Sequence, residues 1–112
     1  MTKVYKVQYT HSSRNDMRSM KRYILQTFCY PELGENFTRK MKKVAKELAN
    51  SPVGYANTVF LYRGYEVYLK PSQSYLFFFV INKKEQVVTI LRVLQERMDW
   101  KCIFKNWLKR NK

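Results

Sequence analysis

The chain has 112 residues, enough for one domain with its own core, and carries 22 lysines and arginines against 8 acids, a formal charge of +14. With 46% hydrophobic and 16% aromatic residues it is expected to fold, which excludes a disordered basic tail. The excess charge is even along the chain, so it is a field of the whole body and points to a polyanion: nucleic acid, a membrane surface or an acidic protein.

In chain order, Tyr5, Val7 and Tyr9 alternate with Lys6 and Gln8, which predicts a half-buried strand over 3–9. Ser12 or Ser13 is the expected N-cap of a first helix, whose apolar stripe is Met17, Met20, Ile24 and Phe28. Pro31 is expected to close it. A second helix is expected from Gly34 to Asn50, apolar at Phe37, Met41, Val44, Ala45 and Leu48 and coated elsewhere with lysine and arginine. The stretch NSPVG breaks the helical period.

From there the period is two. Tyr65, Val67 and Leu69 share one face of a strand, and YLFFFVIN is apolar on both faces, as a covered central strand requires. NKKEQ turns the chain, and VVTILRVL completes a three-stranded antiparallel meander. Trp100, Ile103, Phe104 and Trp107 then return at helical spacing, with lysines and arginines on the remaining surface. The expected fold is α+β: an N-terminal strand, a helical hairpin, the meander and a C-terminal helix.

The usual catalytic patterns are missing. The one histidine, His11, stands in a turn signal, and Cys29 and Cys102 form no ligand pair. No metal site or cofactor is implied. The composition is compatible with a metal-free ribonuclease, because lysine, arginine, tyrosine and glutamate can move the protons and hold the phosphate without any spacing signature. The first ten residues lack the apolar segment of a signal peptide, and no apolar run approaches the roughly 20 residues of a membrane span. A cytoplasmic protein that stays off the membrane is the expectation.

The ending ILRVLQERMD, after the central YLFFFVIN, resembles the last strand of the ParE/RelE superfamily of toxins from type II toxin–antitoxin modules. Its members commonly carry (I/V)xR(I/V)LxxRxD there, here Ile90, Arg92, Val93, Leu94, Arg97 and Asp99. The resemblance covers about residues 3–100. It implies one toxin domain over residues 1–112, with 100–112 a C-terminal helical extension. Two departures stand out: Leu76 follows Tyr75 where many relatives, in both branches, have arginine, and no tyrosine or histidine follows Tyr75, so the usual C-terminal residue of the nuclease branch is missing.

The resemblance implies a plasmid-stabilisation toxin that arrests growth, in the ParE branch by inhibiting DNA gyrase and without enzymatic activity. The alternative is a RelE-like, metal-independent endoribonuclease acting on mRNA in the ribosome, with Lys70, Arg92 and Arg97 as its candidate residues. A third reading is a non-enzymatic basic nucleic-acid binder. Under the first reading the target-binding candidates are Arg63, Lys70, Arg92, Arg97 and Asp99. Either toxin reading implies a cognate acidic antitoxin as partner. Arg92 has two roles open to it: pairing with a carboxylate such as Asp99 or Glu66, or meeting an anion in a groove. Trp100, Ile103, Phe104 and Trp107 either pack on the open sheet face or bind the antitoxin.

Overall fold

Five consecutive apolar residues, Leu76–Val80, can all be buried only where a strand is covered on both faces. The computed structural model, which describes residues 4–111, places them there. The elements run β1 (Lys6–Tyr9), α1 (His11–Phe28), α2 (Pro31–Asn50), β2 (Ala56–Tyr62), β3 (Tyr65–Ser72), β4 (Tyr75–Asn82), β5 (Val87–Gln95) and α3 (Trp100–Arg110). They form one sheet in the order β1-β5-β4-β3-β2, with β1 parallel to β5 and every other pairing antiparallel.

The helical hairpin covers one face. Phe37, Met41, Val44 and Leu48 of α2 meet Phe77, Phe79, Val88, Ile90 and Val93 of the sheet. The two helices approach closely at Gly34, where a Cβ would stand 2.8 Å from a methyl of Leu25. Helix α3 covers the other face. Phe104 is fully buried and stacks on Phe78 at 4.5 Å between ring centroids, and Trp107 stacks on Tyr62. The Trp107 indole donates to the Ser12 hydroxyl at 2.9 Å, tying α3 to the start of α1.

Three local expectations change. The N-cap of α1 is Thr10, not Ser12 or Ser13: its hydroxyl accepts from the Ser13 amide. Pro31 opens α2 rather than merely closing α1, because a proline at the first helical position lacks only an amide hydrogen that would have no intrahelical partner. α1 ends instead at Cys29, whose φ of 59° is left-handed. The meander also gains a strand, β2. Its ladder to β3 is interrupted between Asn57 and Leu61, where Val59 turns to φ 64° and lies almost fully exposed. Such a bulge spoils the alternation that marks a strand in sequence, and it blunts a free sheet edge.

Candidate functional site

Strand β5 outruns its neighbour. β1 ends at Tyr9, opposite Ile90, and leaves the edge of β5 open beyond that point. Unpaired backbone groups there need other partners. Thr10 supplies the first, donating its amide to the Ile90 carbonyl and its hydroxyl to that of Leu91. Asp16, in the second turn of α1, supplies the next: its Oδ2 accepts the Val93 amide at 3.0 Å.

The same carboxylate holds Arg92. Nε reaches Oδ2 at 2.7 Å and Nη2 reaches Oδ1 at 2.8 Å, a bidentate pair with both side chains about 15% exposed. Arg92 therefore pairs with Asp16, not with Asp99 or Glu66. Alternation alone would place Arg92 beside Ile90. The ladder to β4 runs Phe78 to Arg92 and then Phe79 to Ile90, leaving Leu91 as an extra residue. That bulge turns Arg92 off the Ile90 face and toward the sheet edge where α1 lies.

Lys70 sits on β3 opposite Phe77, which is opposite Val93. It is thus about 10 Å across the sheet from β5. Its ammonium is buried beneath α2, donates to the Tyr55 hydroxyl at 3.2 Å and lies 3.9 Å from a Glu47 carboxylate oxygen. Lys70 and Arg92 point at different helices and do not converge. Replacing Lys70 by methionine keeps the volume and removes a buried charge, so stability is expected to change by less than about 1.5 kcal/mol. Urea unfolding of Lys70→Met checks this.

The turn after β5 is exposed. Arg97 donates to the Gln95 side chain at 2.8 Å, Met98 is 45% exposed, and Asp99 caps α3 by accepting from the Cys102 amide. Arg97 and Arg92 line one hollow of about 450 Å³ between α1, this turn and α3, with Met20, Tyr23 and Ile103. Arg63 lies elsewhere, in the β2–β3 turn, above the Tyr62 ring. A second hollow, about 680 Å³, opens between the hairpin helices and Tyr75. Its floor is Ile24, Phe28, Leu33 and Phe37, and its rim is Arg39, Lys40 and Lys43. Tyr23, Phe28 and Tyr30 stay exposed along that end of the hairpin.

Two tyrosines near these surfaces are poor proton acceptors. The hydrogen bond from Tyr68 to Glu66, with some burial, raises the Tyr68 phenol above its ordinary value, and burial raises that of Tyr75. Both stay protonated at neutral pH.

The family described as "ParE toxin of type II toxin-antitoxin system, parDE" matches residues 7–100. The chain belongs to this ParE toxin family. Solved structures agree in fold. A chain of the chromosomal ParDE toxin–antitoxin system of P. aeruginosa superposes with a TM-score of 0.62 at 13% identity, over 82% of this chain and 96% of that one. A mutant E. coli RelE toxin in the free state gives 0.60 at 18%, over 96% and 97%. The RelBE2 toxin–antitoxin complex of Mycobacterium tuberculosis gives 0.59 at 16%, over 85% and 94%. No curated protein matches the chain.

In this ParE-family chain the matched segment stops at the first residue of α3, so nearly the whole helix lies beyond it. No helix among the described residues is long and apolar enough to cross a membrane. The residue that sequence reasoning missed is Asp16. A signal was present: Asp16 falls four residues before Met20 on the apolar stripe of α1, where an acid needs a buried partner.

Proposed function

We propose that this toxin arrests growth by binding DNA gyrase as a protein ligand, with no catalytic step of its own, and that a cognate acidic antitoxin holds it inactive. The observation that carries the reading is the fate of the candidate cations. Lys70 is committed to Tyr55 and Glu47, and Arg92 to Asp16, while Arg97 alone of the three faces solvent. A metal-free ribonuclease needs a base, an acid and a phosphate clamp around one scissile bond. Here Lys70 and Arg92 serve the fold, and Tyr68 and Tyr75, with phenols raised above their ordinary value, are not ready bases. Binding to a protein target needs only an exposed surface, and the Arg97–Met98–Asp99 turn provides one beside α3.

The antitoxin partner follows from the charge of +14 and from the hollow of the hairpin, an apolar floor inside a basic rim. That combination suits a disordered acidic segment that folds as it docks. Residues 1–112 act as one toxin domain in this reading, with 100–112 a helical extension.

One observation favours the ribonuclease alternative: Arg92 and Arg97 line the same hollow, which has room for a phosphate. Expression in a bacterial host, with growth and mRNA 5′ ends followed together, separates the two. Under the gyrase reading Lys70→Met arrests growth as the unaltered protein does, and transcripts stay intact. New mRNA ends that appear on induction and vanish with Arg97→Ala would overturn it.

A further inference from the structure

The inner side of α3 packs on the sheet. Phe104 and Trp107 are buried and Trp100 and Ile103 pack with them, so most of the apolar face of the helix is covered. Its outer side is cationic. Lys101, Lys105 and Lys109 recur every four residues, so they form one stripe with about 6 Å between successive positions. All three are exposed, and α3 itself contains no acidic residue. Among the described residues the ion pairs are Lys70–Glu47 and Arg92–Asp16, neither of which touches this stripe.

A fourth cation lies near its C-terminal end. Arg63 shares a shallow hollow with Leu108 and Asn111 of that end of α3, and its guanidinium lies 5.0 Å from the centroid of Tyr62, which stacks on Trp107. Arg63 has φ 51° and Gly64 has φ 87°, so both central residues of this two-residue hairpin turn are left-handed. Asparagine is the usual residue at the first of these positions, where arginine is disfavoured.

We infer that Arg63, Lys101, Lys105 and Lys109 form a binding surface for the phosphate backbone of duplex DNA. Lysines on a rigid helix hold phosphates without reading bases. A duplex fits better than a single strand, because the aromatic rings beneath the stripe are buried or stacked on one another and offer no platform for unstacked bases. The inference is independent of the gyrase reading, since it concerns DNA alone.

Binding of the full chain to a labelled 25-base-pair duplex of random sequence, measured between 50 and 200 mM salt, tests it. Each phosphate contact contributes about 0.9 to the slope of log affinity against log salt. The variant Arg63→Asn with Lys101→Gln, Lys105→Gln and Lys109→Gln is expected to flatten that slope by about 3.6 and to weaken binding at 50 mM salt at least tenfold. A control removing four exposed lysines elsewhere, at Lys42, Lys46, Lys83 and Lys84, is expected to change the slope by less than about 1. The single change Lys105→Gln should flatten it by about 1, and it keeps the test decisive if the fourfold variant folds poorly. Equal losses in the fourfold variant and its control would reduce the effect to net charge and overturn the inference. So would the absence of duplex binding by the unaltered protein at 50 mM salt.

Discussion

Replacing Asp16 by alanine is expected to destabilise the protein by about 3–5 kcal/mol. The change strands two groups at once. The Arg92 guanidinium, 15% exposed, loses both charge-assisted hydrogen bonds, and the Val93 amide loses its acceptor at the edge of β5. An uncompensated charge in such a site accounts for most of the cost, and the orphaned amide adds its own desolvation penalty. Against a total stability of roughly 5–15 kcal/mol, the loss leaves a marginal protein or an unfolded one. Urea unfolding measures it. Adding Arg92→Met to Asp16→Ala removes the buried charge and should recover about 2 kcal/mol or more. If Asp16→Ala costs less than about 1 kcal/mol, the pair is not what ties α1 to the sheet.

The second large effect concerns α3. Phe104→Ala is expected to cost about 3–5 kcal/mol, the range for deleting a fully buried phenylalanine. Phe104 is fully enclosed, stacked on Phe78 and in ring contact with Phe60 and Trp107. Once α3 loosens, Leu76, Phe78, Val80 and Leu91 on that sheet face meet water, so the variant should also aggregate on mild heating. Lys105→Gln on the opposite side of the helix should shift stability by less than about 0.5 kcal/mol. Thermal unfolding of the two variants checks the contrast. A stable, monomeric Phe104→Ala protein would mean that α3 lies on the sheet without holding it together.

Much of this architecture was legible because burial leaves periodic traces. β4 reads as a central strand because Leu76–Val80 supply side chains to both faces, and α3 reads as amphipathic because its aromatic residues recur along one side. The misreadings share a cause: local irregularity that only tertiary pairing defines. The bulge around Val59 hid β2, and the extra Leu91 in β5 put Arg92 on the wrong face. Pro31 is ambiguous in sequence, since proline both stops one helix and starts another. The partner of Arg92 is 76 residues away, and no spacing rule joins them. Exposure of the candidate cations was equally invisible, because Lys70 becomes a buried residue only once α2 lies over β3.

Action on gyrase through binding is open to a supercoiling assay with purified toxin, DNA gyrase and relaxed plasmid. Added toxin is expected to abolish supercoiling and to trap linear, cleaved DNA. Lys70→Met is expected to behave as the unaltered toxin does, and Arg97→Ala to inhibit at least several-fold more weakly. Full gyrase activity in the presence of a large molar excess of folded toxin would rule out gyrase as the target.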